Sequence, residues 1–169
     1  MPIPERIDAT HLSDYLEVLT KAVFQAGVSW KLIDSKWDAF RENFADFDPE
    51  KVATLTSEDV DRMMLDERIL RSRKKIEATI KNAQTLLSLD QQFNGFNNYL
   101  RSKSSYTELS ADIRKRFKYV GELSVYYFLF RVKEQVPPFE EWITTIEGFH
   151  PRMREMIDFA RKTDPAAAR

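Results

Sequence analysis

The run RKRFKYVGELSVYYF, Arg114 to Phe128, places four cations within five residues, just ahead of a glycine and an apolar, helix-forming stretch. If Gly121 allows close backbone approach and Glu122 opens a helix, the free N–H groups and the helix dipole can hold a phosphate. Lys115, Arg116 and Lys118 would then supply positive charge, raising affinity in a salt-dependent way. The same pattern also serves to turn a corner between two packed helices, so spacing alone leaves both uses open.

A second stretch, AVFQAGVSW from Ala22 to Trp30, sets Phe24 and Gln25 just before a glycine and Trp30 just after it. It reads either as a helix end packed into the core or as one wall of a pocket. Carboxylates able to act as general acids or bases near it include Asp14 and Glu17 upstream. Glu140 and Glu141, in QVPPFEEW, also suit the first turn of a helix after Pro137-Pro138, where the dipole favours negative charge. Tyr126, Tyr127 and Trp142 could reach a pocket, although the spacing of the two tyrosines also fits a core face. His11 and His150 lie far apart without metal-ligand spacing, and with no cysteine the chain has no disulfide, thiol nucleophile or cysteine-ligated zinc. No metal and no cofactor are expected.

The remaining composition sets the frame for these residues. A chain of 169 residues with 43% hydrophobic and 31% charged residues and only 4 glycines fits one compact, soluble helical domain spanning 1–169. No run approaches the ~18 apolar residues of a membrane span, and the N-terminus lacks the apolar core of a signal peptide, so a cytoplasmic monomer without membrane contact is expected. Net charge is −1, so any contact with nucleic acid must come from local patches. Arg68, Arg71, Arg73, Lys74 and Lys75 form one such patch, and the cations before Gly121 form the other.

Helices must position these side chains. Tyr15, Leu16, Leu19, Val23 and Phe24 line one helix that Gly27 stops, and Trp30, Leu32, Ile33, Trp37, Phe40 and Phe44 line the next. Asp48 with Pro49 starts a short helix, and Thr56 with Asp59 three residues on starts another. Periodicity predicts the longest helix over Ile69 to Leu89, a short one around Phe93 to Leu100, one from Ser110 to Lys118 and one from Glu122 to Val132. A last helix is expected from about Pro151 to Lys162, with a flexible tail over 163–169. Strand signals are absent, so the fold expected is all-α.

The run from Gln25 to Ala83, QAGVSWKLIDSKWDAFRENFADFDPEKVATLTSEDVDRMMLDERILRSRKKIEATIKNA, followed by RFKYVGELSVYYF, resembles the DNA-3-methyladenine glycosylase I family. The resemblance covers Tyr15 to Val132, about 70% of the chain, with its elements in family order. It implies an all-α helix-hairpin-helix DNA-glycosylase fold, with the hairpin over about 110–132 gripping double-stranded DNA. A damaged base, of the alkylated 3-methyladenine type, would be flipped into a pocket and its N-glycosidic bond hydrolysed. The family's base-stacking tryptophan falls on Trp30, a pocket-lining glutamine on Gln25 and the hairpin glycine on Gly121, while Phe24 makes the pocket more apolar.

Departures from the family pattern shape the expectation. The family's pocket glutamate falls on Ala22, which can neither accept a hydrogen bond through its side chain nor stabilise sugar cation charge. The family's cysteine- and histidine-bound structural zinc has no ligands here. In the wider superfamily a catalytic carboxylate follows the hairpin at a spacing that falls on Glu140, nineteen residues beyond Gly121. The resemblance thus implies a glycosylase that uses Trp30, Phe24 and Glu140. Ala22 points to the alternative, a relative that binds damaged or distorted DNA without cutting.

Overall fold

The computed structural model describes residues 5–146, and the helix expected over about Pro151 to Lys162, the 163–169 tail and His150 lie outside those residues. Nine α-helices and one short 3-10 turn follow one another among them: α1 (Leu12–Gln25), α2 (Trp30–Asn43), the turn Ala45–Phe47, α3 (Pro49–Ala53), α4 (Ser57–Met63), α5 (Arg73–Phe93), α6 (Phe96–Leu100), α7 (Tyr106–Arg116), α8 (Glu122–Arg131) and α9 (Phe139–Ile143). The all-α expectation holds.

Local chemistry sets most boundaries. Asp48 accepts from the Glu50 N–H with Pro49 in the first helical position, and Thr56 and Asp59 satisfy each other's backbone donors, as their spacing predicts. Three starts differ from the periodicity: α6 begins at Phe96 behind Gly95, because Phe93 still belongs to α5, and the other two are those of α5 and α7. The α5 helix begins at Arg73, behind the N-cap Ser72, and not at Ile69. Asp66 holds the preceding turn by accepting from the Arg68 N–H and guanidinium and from Asn43 Nδ2. Ile69 is buried from that turn, so an apolar position extends the pattern without extending the helix. The α7 helix begins at Tyr106 and not Ser110, because Ser105 accepts from the Glu108 N–H as N-cap.

The core lies between α1, α2, α5 and α8. Trp37 stacks on Phe40 and Phe47 with centroids 5.0 and 5.3 Å apart, and Phe24 meets Phe40 edge-on at 4.7 Å. Burying several aromatic rings of this size dominates the stability of such a core. It also holds Ala45, Asp46 and Phe47 in left-handed backbone, at φ 51°, 53° and 59°, a conformation that costs roughly 1–2 kcal/mol per non-glycine residue. Phe44 and Phe47, both fully buried, fix that turn from either side.

Candidate base pocket and DNA-binding hairpin

The chain passes from α1 to α2 through Ala26–Ser29, where Gly27 takes φ 73° with no atom crowding the position a Cβ would occupy, so the backbone angle alone calls for glycine. Lys75 of α5 donates to the carbonyls of Phe24 and Ala26 at 3.5 and 3.1 Å, closing the end of α1, and burial pushes its pKa down. Ser29 caps α2 by accepting from the Leu32 N–H, which puts Trp30 in the first helical position.

Trp30 lines a cavity of about 450 Å³ together with Glu17, Lys21 and Gln25 of α1, Asp34, Trp37, Asp38 and Arg41 of α2, Arg131 of α8, and Glu5 and Ile7 of the N-terminal segment. That volume is in the range of small-molecule sites. The segment is tied to the end of α8 by the Ile7 N–H donating to the Arg131 carbonyl at 2.8 Å and Arg6 Nε donating to the Phe130 carbonyl at 3.1 Å. Cavity carboxylates are engaged: Asp34 pairs with Lys21 at 2.8 Å, and Arg41 pairs with Glu17 at 3.1 Å and Asp38 at 3.3 Å.

Arg131, 4% exposed, reaches in from the last turn of α8. Its Nη2 donates to Gln25 Oε1 at 2.8 Å, and its guanidinium lies 5.0 Å from the Trp30 ring centre and 5.8 Å from that of Tyr127. Tyr127, one turn earlier on α8, meets Trp30 edge-on at 5.1 Å. Burial drives the Arg131 pKa down to about 10, and the same burial raises that of Tyr127.

Three sequence-predicted site residues, Phe24, Glu140 and Ala22, lie elsewhere. Phe24 is fully buried against Phe40 and Phe44 and does not line the cavity, because its position on α1 points it between α2 and the core. Glu140 is exposed on α9 and also does not line it. The α9 helix is drawn to another face of α8, where Trp142 stacks on Tyr126 at 4.2 Å and Phe139 packs against the same ring. Trp142 therefore lines a second cavity of about 300 Å³, with Tyr106, Arg114 and Glu122. Ala22 is buried on α1 one turn before Gln25 and lines neither cavity. Asp14 caps α1 by accepting from the Thr10 and His11 N–H groups, whereas Glu17 does face the Trp30 cavity. Arg131, Lys21 and Asp34 went unread in the sequence. Arg131 left one signal, a charge one helical turn after Tyr127 at the end of a helix whose other charge, Glu122, stands at its first residue.

The hairpin joins α7 to α8 through Phe117–Gly121. Asn82 of α5, 1% exposed, accepts from the Lys118 N–H at 2.7 Å and donates to the Lys118 carbonyl at 3.1 Å, so the turn is clasped from below. Gly121, at φ −91°, caps α8 without a side-chain hydrogen bond, and nothing lies within 4 Å of where its Cβ would stand. Neither backbone angle nor internal packing demands glycine there. Lys115 and Lys118 are exposed, whereas Arg116 is held by Asp112 at 2.7 Å and Arg114 by Glu122 at 3.3 Å. In the other basic patch, Arg68 pairs with Asp66 and Glu42, and Arg73 with Asp61. Among the described residues no group of three or more His, Asp or Glu side chains converges as a metal ion requires.

Helices in this order, with the hairpin between α7 and α8, define the helix-hairpin-helix DNA-glycosylase class of all-α proteins. Residues 8–120 match the family model for methyladenine glycosylase. The chain belongs to the methyladenine glycosylase family. It is 32% identical over 126 residues to DNA-3-methyladenine glycosylase of Haemophilus influenzae, covering 62% of this chain and 68% of that one. It is 34% identical over 126 residues to DNA-3-methyladenine glycosylase 1 of Escherichia coli, covering 62% and 67%. The structure of 3-methyladenine DNA glycosylase I from Staphylococcus aureus, described for its recognition of 3-methyladenine, superposes with a TM-score of 0.67 at 30% identity over 77% of this chain and 79% of that one. No described helix is long and apolar enough to cross a membrane.

Proposed function

We propose that this protein is a DNA repair glycosylase that takes a damaged base from duplex DNA into the Trp30 cavity and hydrolyses its N-glycosidic bond. The alkylated adenine named for its relatives is the first base to test. The observation that carries the reading is Asp34, a carboxylate one helical turn after Trp30 that faces the same cavity. Trp30 supplies a stacking surface, and Asp34 is suited to orient water or to stabilise positive charge on the sugar as the bond breaks. Water adds to C1′, the C1′–N electron pair leaves with the base, and the proton lost by water passes to the carboxylate or to solvent. Lys115, Lys118 and the uncapped start of α8 are suited to hold the DNA backbone beside Gly121.

The experiment is release of free base from alkylated duplex DNA by the wild type, Asp34→Asn, Trp30→Ala and Glu140→Gln. Release by the wild type should fall at least a hundredfold in Asp34→Asn and Trp30→Ala and stay unchanged in Glu140→Gln. A second reading, a binder that does not cut, is favoured by Ala22 at the family's glutamate position. Salt-dependent binding weakened by Lys118→Glu, without release from any lesion, would select it.

A further inference from the structure

The turn between α7 and α8 is fixed on either side of one residue. Phe117 and Val120 are buried in the core, and both backbone groups of Lys118 are taken by Asn82. The chain has to reverse among these anchors, and it does so at Tyr119, which takes φ 56°. That left-handed backbone strains an aromatic residue, whereas glycine or asparagine adopts it readily. The protein itself makes no use of the ring: Tyr119 is 52% exposed, with no side-chain hydrogen bond and no ring contact among the described residues. Strain kept at an exposed aromatic residue points to a contact made outside the molecule. Charge indicates the partner. Lys115 and Lys118 are exposed and have no ion pair among the described residues. The carboxylates at this end of the two helices, Asp112 and Glu122, are each held by an arginine, Arg116 at 2.7 Å and Arg114 at 3.3 Å. Surplus positive charge therefore surrounds the ring, which suits a polyanion and not a basic or purely apolar partner.

We infer that Tyr119 packs its ring on the sugar–phosphate backbone of duplex DNA, against a deoxyribose next to the phosphate that Lys118 reaches. The inference rests on the reading of the hairpin as the DNA grip and names the residue that adds apolar contact to it. A deoxyribose presents C–H groups that an aromatic face can cover, and this removes apolar surface of both partners from water. Such a contact carries no sequence information and displaces no counterion. It thus adds affinity that salt does not remove, beside the salt-sensitive share from the lysines. The anchors Phe117, Lys118 and Val120 hold the ring outward before DNA arrives, which spares the ordering that a flexible loop would need on binding.

Two measurements test the proposal: affinity for undamaged duplex DNA by fluorescence anisotropy at two salt concentrations, and thermal unfolding. They are made on wild type, Tyr119→Gly, Tyr119→Asn and Tyr119→Phe, with Lys118→Glu as the control for the hairpin. Glycine and asparagine accept the left-handed backbone, so neither variant should unfold below the wild type, and Tyr119→Gly should unfold about 1–3 °C higher. Both should bind duplex roughly tenfold more weakly, the loss expected when the exposed part of one ring is no longer covered. Their salt dependence should match the wild type, since no charge is removed. Tyr119→Phe keeps the ring and should stay within about threefold of wild-type affinity. Affinity that falls while stability is held or raised is a result that a merely structural role does not give. Wild-type affinity in both Tyr119→Gly and Tyr119→Asn, a loss in Tyr119→Phe as large as theirs, or a Tm below the wild type in both, each overturns the proposal. Lys118→Glu separates this failure from that of the hairpin. If it weakens binding while glycine and asparagine at position 119 do not, the role of Tyr119 alone is refuted; if all three bind as the wild type does, the hairpin is not the grip.

Discussion

Asn82 offers the sharpest test of the hairpin, because it is buried and touches the turn from beneath while the side chains that would meet DNA lie above it. Asn82→Ala removes both hydrogen bonds to Lys118, at 2.7 and 3.1 Å. Each contributes about 1 kcal/mol net, and because Lys118 is exposed, water replaces part of what is lost. The expected destabilisation is roughly 2 kcal/mol, which for a protein of this size lowers Tm by about 4–8 °C. The turn also loses the clasp that orders Lys118 before any partner arrives, and re-ordering one residue's backbone costs about 1–2 kcal/mol. Affinity for undamaged duplex should therefore fall roughly tenfold, with no change in the salt dependence, since every cation remains. Asn82→Asp keeps the acceptor for the Lys118 N–H and loses the donor, so it should fall between the two. Thermal unfolding and fluorescence anisotropy at two salt concentrations measure both effects. A lowered Tm with unchanged DNA affinity would refute the hairpin as the grip; an unchanged Tm would refute the clasp itself.

Phe24→Ala should cost about 3–5 kcal/mol in urea unfolding and leave base preference unaltered, because the ring fills the core against Phe40 and Phe44 and not the cavity. Asp46→Gly should raise stability by about 0.5–1 kcal/mol, since Asp46 is exposed at φ 53° and glycine relieves the left-handed strain at a smaller cost in chain entropy. Hydrogen bonds from Arg68 and then Asn43 hold the Asp66 carboxyl well below the usual carboxylate range. A lowered folded-state pKa gives stability that is present above the unfolded value near 4 and is lost as pH falls toward the folded one. Asp66→Asn should therefore be less stable than wild type at pH 6, with the gap narrowing at pH 3; a constant gap in urea midpoints would contradict this.

What could be read from the sequence was what neighbours in the chain decide. The Asp48-Pro49 and Thr56-Asp59 starts were legible because a side chain and the backbone three or fewer residues away complete the interaction. The start of α5 was not, because Ile69 is apolar for a reason that periodicity cannot distinguish from a helix face: it anchors a turn held by Asp66. Trp30 was legible as the end of a motif. Arg131 was not, because its role depends on Gln25, 106 positions away, and on α1 and α2 both meeting the last turn of α8. Glu140 was misplaced for a related reason: counting from Gly121 supplies a distance along the chain, while the aromatic pairing of Trp142 with Tyr126 decides the direction α9 takes.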